Sequence, residues 1–313
     1  MTDAVSDFGA KLLSGEETSP EAWQRHLREV HGRLPGATSA FASRHATAAG
    51  RTSYELLADS AVSAARELDR PVDVLDLACG DGYLIEVCFR ELGGRVGTIT
   101  GVDMSEAELE LARRRLAGAD ARLYTGLAQS LPLAPDSVDV ALCHAAFMLM
   151  VPVEPVVQQL ARVLRPGGIF SAVVGSTSSA SESRDEDVEG RRALWTGLRE
   201  ALREFWQTEY PRLRPDGRVG DPRAMSRDGW RELFGPQTGF TGDVDLQELE
   251  IIVRESPEGI WSFFETTYLV DLLDDEKRAT LRSRLLAVVG EHERAHGTVA
   301  MAFPLQLLSV RSV

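Results

Sequence analysis

A short turn between residues 75 and 84, with the sequence LDLACGDGYL, carries residue types suited to holding a nucleotide. An apolar run leads into the turn and a helix-like segment follows, an arrangement that places backbone N–H groups around a ligand. A dinucleotide-binding turn has the spacing G-x-G-x-x-G, but Ile85 stands at the third position after Gly80 and Gly82. A phosphate loop ending in Gly-Lys-Ser/Thr is also absent. Asp76 before the turn would repel a pyrophosphate, so the turn suits a ligand that offers a cation or hydroxyl donors.

A second carboxylate lies in a matching position on the next predicted strand. Asp103 ends the run TITGVD, and Asp76 ends the run VDVLD. Because the carboxyl ends of parallel strands meet at one edge of a sheet, we expect both side chains at that edge. A carboxylate placed like Asp103 can accept hydrogen bonds from both hydroxyls of a ribose. The two positions therefore predict a nucleoside site.

A third pattern is the sequence HERAH, residues 292–296, which matches the H-E-x-x-H spacing of zinc proteases. The spacing places His292 and His296 on one face of a helix. However, Gly297 ends that helix at once, and the sequence suggests no third ligand. We therefore predict no metal site here and no protease chemistry, although His296 could border an acceptor pocket.

The composition narrows the function classes further. The net charge is −14 and no basic run is present, which disfavours a nucleic-acid partner. The three cysteines are few and lie in apolar segments, as in a protein of a reducing compartment. No signal peptide and no run of 18 uncharged apolar residues is seen, so we expect a cytoplasmic protein without a membrane partner.

The elements that must position these residues follow from periodicity and capping signals. Residues 1–70 read as helical, with Ser19 as an N-cap and a capping box at Thr52 and Glu55. Between these helices, residues 35–51 are rich in small residues and are predicted to be a loop.

Strands alternate with amphipathic helices over residues 71–175, which predicts a parallel sheet with helices on both faces. One of these helices starts with a capping box at Ser105 and Glu108, and another is predicted to end in Pro-Gly-Gly before the fifth strand. Residues 176–242 interrupt this alternation and open with a polar segment, predicted to be a loop, over 176–190. Residues 243–313 contain the last two strands, separated by a helical pair.

Four segments occur in the order and spacing of a known family: VLDLACGDGYL, GVDMSEAELELAR, TGLAQSLPLAPDSVDVALC and LARVLRPGG. With them the chain resembles the class I S-adenosylmethionine-dependent methyltransferases, in the small-molecule branch that serves bacterial secondary metabolism, including antibiotic biosynthesis. The resemblance implies an α/β fold with a Rossmann-like, doubly wound, seven-stranded sheet. In that fold residues 1–70 would be an N-terminal helical lid, residues 71–175 the S-adenosylmethionine-binding core, and residues 176–242 a cap insertion over the acceptor site. It also implies S-adenosyl-L-methionine as cofactor and a small-molecule acceptor as partner.

The resemblance carries cofactor contacts onto individual residues. The turn under the methionine part of the cofactor would comprise Asp76, Ala78, Gly80 and Gly82, and Asp103 would hold the ribose hydroxyls. The adenine would lie against Met104, Leu127 and Ala128, and the methionine amine and the methyl group beside Cys143 and His144.

Two positions depart from the family pattern. Ala78 stands where glycine is usual, which is tolerable if its backbone is not at positive φ. Leu127 stands where an aspartate often binds the adenine amine, and losing that contact costs about 1 to 2 kcal/mol. Neither departure removes Asp103, so we expect cofactor binding to survive.

The acceptor side is predicted from residues after the fourth strand and in the N-terminal lid. Many relatives carry LHHL where this chain has FMLM, so Phe147 and Met148 would contact a lipophilic acceptor unless they are core residues. Arg51, or Arg44 beside it in the lid, could bind a carboxylate bidentately, and Tyr54 could reach the same group.

Two chemistries remain open for the methyl transfer. One is C-methylation of an enolisable acid such as an α-keto acid, with a histidine as base, and we favour it slightly. The candidates for that base are His144, His45 and His296, and a structural hydrogen bond is the competing interpretation for His144. The other chemistry is O- or N-methylation, in which proximity does most of the work. A third possibility, from another class, is a protein that binds the cofactor without transferring its methyl group.

Overall fold

The computed structural model describes residues 7–176, 186–213, 220–297 and 299–313. Its strands form one seven-stranded sheet in the order β3-β2-β1-β4-β5-β7-β6. They are β1 (Val72–Leu77), β2 (Val96–Asp103), β3 (Ala121–Thr125), β4 (Val138–His144), β5 (Leu164–Gly175), β6 (Asp245–Arg254) and β7 (Ala300–Arg311). The first five strands are parallel, and β7 runs antiparallel to β5. The predicted Rossmann-like seven-stranded sheet is confirmed.

Helices connect the strands and form most of the remaining described chain. The α-helices are α1 (Asp7–Leu13), α2 (Pro20–Arg33), α3 (Ala37–Ala42), α4 (Ser53–Glu67), α5 (Tyr83–Leu92), α6 (Glu106–Arg115), α7 (Glu154–Val163), α8 (Glu186–Glu209), α9 (Arg227–Leu233), α10 (Pro257–Glu265) and α11 (Asp275–His296). None of these helices is both long enough and apolar enough to cross a membrane, within the described residues.

The predicted starts of two N-terminal helices are confirmed. The N–H of Ala22 donates to Ser19 Oγ at 3.2 Å, which caps α2. Thr52 and Glu55 form the reciprocal capping box of α4, with the Thr52 N–H donating to the Glu55 carboxylate at 2.9 Å. Each pair satisfies N–H groups that a helix start leaves without an acceptor.

The predicted capping box of α6 is only half formed. The Glu108 N–H donates to Ser105 Oγ at 3.4 Å, as expected. The Glu108 carboxylate does not return to Ser105 but binds the ring of His31 and the N–H of Gly36. A long-range contact has therefore replaced a local one, since a buried carboxylate accepts the donors packed against it.

Three other boundaries differ from the predictions. The segment 35–51, predicted to be a loop, contains α3, whose start at Gly36 is held by that carboxylate. The helix predicted to end in Pro-Gly-Gly ends at Val163, and β5 begins at Leu164 because it pairs there with β4. The predicted loop over 176–190 is wrong from residue 186, where α8 begins on acidic residues that favour a helix start. Its residues 177–185 lie outside the described residues.

The chain divides into two compact units. The sheet unit comprises the described residues within 31–178, 220–249 and 304–313. Its core joins apolar side chains of the sheet to a ring cluster of Phe147, Phe170, Trp230 and Phe234. The helical unit comprises the described residues within 1–30, 179–219 and 250–303. Its largest aromatic group includes Trp195, Phe264 and Phe303. The division predicted from sequence order into lid, core, cap and late strands stays a prediction.

Candidate active site

The candidate site lies in the sheet unit, where the strand order reverses. β1 neighbours β2 on one side and β4 on the other, and open parallel sheets bind ligands at such a switch point. Asp76 is paired in register with Gly101 of β2 and Leu142 of β4. Two residues further along, Ala78 and His144 leave the sheet side by side. The side chains of Asp76 and His144 are on the same face, because side chains alternate along a strand.

Asp76 is a buried carboxylate without a counter-charge. The residue is 2% exposed, and its Oδ2 has no hydrogen-bond partner among the described residues. Burial, reinforced by the charges of Asp103 and Asp81, raises the pKa of Asp76 well above its usual value. An ionised carboxylate in such a place needs a cation or a donor, so Asp76 suits the ammonium group of a ligand.

The turn contains two glycines with left-handed backbone, and the space beside Gly80 is open, since a Cβ there would meet only Glu108 Oε2 at 3.8 Å. Gly80 and Gly82 both have positive φ, at 51° and 77°. A Cβ on Gly82 would come within 3.0 Å of Leu116 and 3.1 Å of Ala112, so a side chain there would collide with α6. The turn is therefore restricted to glycine at this position by both backbone conformation and packing.

Ala78 lies in a backbone conformation that alanine adopts at a cost. Its φ is 58°, in the left-handed region, so the condition under which alanine would be tolerated there is not met. The alanine is therefore strained at the point where the chain reverses between β1 and α5. Ala145, just after β4, has a φ of 55°. Each such residue costs about 1 kcal/mol, and this strain at neighbouring strand ends is typical of functional sites.

Asp103 is oriented by two backbone donors. Its Oδ1 accepts from the N–H of Ser105 and its Oδ2 from the N–H of Gly80, each at 2.8 Å. Burial raises the pKa of Asp103, while these two hydrogen bonds act in the opposite direction. Each oxygen keeps a second lone pair, which is the geometry required to accept two ribose hydroxyls.

The predicted adenine contacts lie near the same strand end. Met104, Leu127 and Ala128 are all half-buried, so each keeps exposed surface for a ligand. The Gly126 N–H donates to the Asp103 carbonyl at 2.8 Å and ties this loop to β2. Their role toward adenine stays a prediction.

His144 is half-buried and held by a polar contact. Its Nε2 is hydrogen-bonded to Ser53 Oγ at 2.8 Å, and its ring stacks on Tyr54 with centroids 3.7 Å apart. The structural hydrogen bond considered as an alternative is thus present. Nδ1 is buried and has no partner among the described residues. Burial lowers the pKa of His144 to about 3, so the imidazole is neutral and a weak base.

The neighbours of His144 are also uncharged. Burial raises the pKa of Tyr54 well above its usual value, and its ring packs edge-on against Tyr83 at 4.9 Å. Burial likewise raises the pKa of Cys143, which is fully buried on β4. Tyr54 therefore contributes a buried ring beside His144, and its predicted contact with a substrate carboxylate stays a prediction.

The predicted carboxylate-binding arginine is already paired. Arg51 donates to both oxygens of Asp59, at 2.5 and 3.0 Å, and to the carbonyl of Glu55 at 2.9 Å. A substrate carboxylate would have to displace Asp59. Arg44 is exposed, and His45 is buried with its ring 4.6 Å from that of Phe41.

The two acceptor-side residues have different environments. Phe147 is fully buried, with its ring 5.2 Å from Trp230 and 5.6 Å from Phe234, as expected of a core residue. Met148 is half-buried, and its carbonyl lies where a Cβ on Gly220 would collide. Met148 thus keeps exposed surface that an acceptor could contact, whereas Phe147 is a core residue.

The histidines of HERAH belong to the helical unit. The rings of His292 and His296 are 4.3 Å apart at the end of α11. Burial and the charge of His296 lower the pKa of His292. No group of three or more His, Cys, Asp or Glu side chains in the described residues is arranged to hold a metal ion.

The sequence reasoning missed a polar clasp that ties the N-terminal segment to the glycine turn. The ring of His31 donates from Nδ1 to Glu108 at 2.8 Å, and the N–H of Gly36 donates to the same carboxylate at 2.9 Å. Ser39 Oγ donates to Asp81 Oδ2 at 2.6 Å. The only signal in the sequence was Asp81 itself, an acidic residue inside the turn.

Comparison with known proteins identifies the part of the chain that carries this site. Residues 75–172 match the family model of a methyltransferase domain. They form a class I methyltransferase domain. Demethylmenaquinone methyltransferase of Symbiobacterium thermophilum is 33% identical over 112 residues, which are 34% of this chain and 44% of that protein. Trans-aconitate 2-methyltransferase of Paracidovorax citrulli is 33% identical over 146 residues, 46% of this chain and 52% of that protein. The chain thus spans about half or less of these relatives.

Solved structures extend the likeness of the fold beyond the methyltransferase domain. A putative methyltransferase from an antibiotic biosynthesis pathway of Anabaena variabilis has a TM-score of 0.53 at 14% identity and covers 78% of this chain and 92% of that chain. At this identity the likeness establishes the fold alone. The methyl donor of the family is S-adenosylmethionine, and the residues present fit it. Asp76 Oδ2 has no partner among the described residues, the space beside Gly80 is open, since a Cβ there would meet only Glu108 Oε2 at 3.8 Å, and Asp103 has free lone pairs.

Proposed function

We propose that the chain transfers the methyl group of S-adenosylmethionine to a small, partly apolar metabolite. The single observation that carries this proposal is the pair of buried carboxylates at the switch point. Asp76 has an unpartnered oxygen, and Asp103 is fixed by two backbone N–H groups with lone pairs to spare. Together they match the ammonium and the ribose of one ligand.

When bound, the cofactor supplies an electrophilic methyl carbon on a sulfonium. That carbon would bond to a lone pair of the acceptor, the carbon–sulfur bonding pair would stay on sulfur as a neutral thioether, and the acceptor's proton would pass to water. The chain would contribute orientation: Asp76 would hold the ammonium, Asp103 the ribose, and the glycine turn would allow close backbone approach. Such alignment of reactants supplies much of the rate of a displacement that needs no covalent enzyme intermediate.

The surroundings of His144 favour an oxygen or nitrogen acceptor. Removing a proton from carbon requires a base whose pKa lies near the working pH, but burial lowers the pKa of His144 to about 3. An amine or hydroxyl attacks with its own lone pair and releases its proton as or after the new bond forms. Neutral His144 then serves as a hydrogen-bonding group, and the half-buried Met148 offers apolar surface to the acceptor.

C-methylation of an enolisable α-keto acid is the second candidate. The relative from Paracidovorax citrulli is named for trans-aconitate, a small organic acid, and that supports an acidic acceptor. In this version Arg51 would exchange Asp59 for the substrate carboxylate, and His45 would be the base instead of His144.

The test is product analysis with labelled cofactor. The full chain is incubated with S-adenosylmethionine carrying a ¹³C methyl group and a panel of amines, phenols and α-keto acids, and products are read by NMR. We expect a label on nitrogen or oxygen. A label on carbon would establish the second candidate. Tight binding of S-adenosylhomocysteine with no methylated product from any class would contradict methyl transfer and indicate a protein that only binds the cofactor.

A further inference from the structure

Two buried donors on α8 in the helical unit have no acceptor among the described residues. They are Nε of Arg191 and Nε1 of Trp195. Residues four apart on an α-helix lie on the same face, with Cβ atoms about 5–6 Å apart. Buried N–H groups nearly always have a partner, and tryptophan N–H groups in particular find one. Two unpartnered donors on one helix face therefore indicate a missing acceptor.

The guanidinium of Arg191 lacks the partners that other arginines of the chain have. Arg192 donates from Nε to Glu250 at 2.7 Å, so the next guanidinium is neutralised. Arg165 and Arg278 also have a buried N–H without a partner, but each donates through another nitrogen, Arg165 to Asp73 at 2.9 Å. The guanidinium of Arg191 makes no ion pair and no hydrogen bond within the described residues. Its planar edge, with Nε–H and one Nη–H in parallel, is the shape that binds a carboxylate at two points.

An aromatic wall adjoins the second donor. The ring of Trp195 lies edge-on to Phe303 at 4.8 Å and is stacked with Phe264 at 6.3 Å. Phe303 also contacts Phe263, with centroids 5.2 Å apart. Phe264 is buried, whereas Trp195, Phe263 and Phe303 each keep part of their surface exposed. The wall can therefore pack against an apolar ligand as well as against itself.

We propose that Arg191 and Trp195 form a binding site for a small carboxylic acid with an apolar body. The guanidinium edge of Arg191 binds the carboxylate, the indole N–H of Trp195 donates to one of its oxygens, and the apolar body packs on Trp195, Phe263 and Phe303. The site lies within the helical unit alone and does not depend on the proposed methyl transfer.

The test compares an acid with its neutral isostere. Binding of 3-phenylpropionate and of 3-phenylpropanamide to the full chain is measured by calorimetry. We expect the acid to bind at least about ten-fold more tightly, because a charged hydrogen bond to arginine outweighs a neutral one. Arg191→Gln should abolish this preference, and Arg191→Lys should restore only part of it. Arg199→Gln, an exposed arginine two turns along the same helix, is the matched control and should change nothing.

Trp195→Phe keeps an aromatic ring and removes the N–H donor. It should therefore weaken binding of the acid several-fold and binding of the amide by a smaller factor. Equal affinities for acid and amide in the parent chain, or an Arg191→Gln variant that binds the acid as tightly as the parent, would overturn the site. Binding of S-adenosylhomocysteine, measured on every variant, reports that the chain is folded. Because that ligand tests the sheet unit, its loss in the parent chain would count against the proposed function and not against this site.

Discussion

Ser53 Oγ lies 2.8 Å from Nε2 of His144, and this contact joins the start of α4 to the end of β4. It leaves Nδ1 as the only ring nitrogen of His144 without a partner among the described residues. The histidine predicted as a base is thus anchored through one nitrogen and has the other available to a ligand. Burial lowers the pKa of His144 to about 3, and the stacked ring of Tyr54 covers one face of the imidazole.

The buried His144 predicts a pH dependence of stability. Its pKa is about 3 in the folded chain and about 6.5 when unfolded, so the unfolded state binds the extra proton between these values. Stability from this residue is therefore lost as pH falls below about 6.5, by about 2 kcal/mol between pH 7 and pH 5. The difference in unfolding free energy between the parent chain and His144→Asn should show this slope. Asp76, whose raised pKa acts with the opposite sign, is common to both proteins and cancels. Parallel curves would contradict a neutral, buried His144.

Asp103→Ala should weaken binding of the cofactor product S-adenosylhomocysteine by about ten- to a hundred-fold, because two charged hydrogen bonds to the ribose are lost. The Gly80 N–H also loses its acceptor, which loosens the turn. Calorimetry on the full chain is the measurement. Asp120→Ala, at an exposed carboxylate before β3, is the control and should bind like the parent. Unchanged affinity in Asp103→Ala would refute the assignment of the ribose site.

Ala78→Gly should stabilise the chain. The left-handed φ of Ala78 costs about 1 kcal/mol, and glycine would remove this cost. Glycine also has more conformational freedom in the unfolded chain, which offsets part of the gain. We expect a net gain of a few tenths of a kcal/mol, and at most about 1 kcal/mol, in urea unfolding. Ala107→Gly, inside α6, provides the contrast and should destabilise by about 0.5–1 kcal/mol. A loss of stability in Ala78→Gly would mean that the alanine methyl packs against something that glycine cannot replace.

The clasp on Glu108 predicts a second pH effect of opposite sign. Burial by itself lowers the pKa of His31, but the hydrogen bond and charge of Glu108 outweigh burial and raise this pKa above its unfolded value. This stabilisation is fully present below about pH 6.5 and is lost as pH rises through the folded pKa. Glu108→Gln should therefore cost the most at low pH, about 1–3 kcal/mol, and less at pH 9. Thermal unfolding at both values measures it, with exposed Glu110→Gln as control. A cost that does not change with pH would exclude the charged pair.

The cofactor side of the site was predictable because its signals are local. The turn from Asp76 to Gly82 and the strand end at Asp103 depend on residue order and on strand alternation, which a sequence displays directly. The acceptor side of the site was not predictable in this way. Arg51 was predicted to bind a carboxylate, yet it is paired with Asp59, eight residues further along the chain. Which carboxylate a guanidinium meets depends on packing, and no spacing rule expresses that.

The sequence by itself determined the strand–helix alternation and the sheet that follows from it, and its resemblance to a known family supplied the methyl donor. Apolar periodicity and glycine placement act within a few residues of the chain, so they can be read without a structure. Only the tertiary structure decided the left-handed backbone of Ala78, the neutral state of His144 and the unpartnered donors Arg191 and Trp195. Each of these depends on which distant groups exclude water from one another, and burial of that kind arises only when the chain has folded.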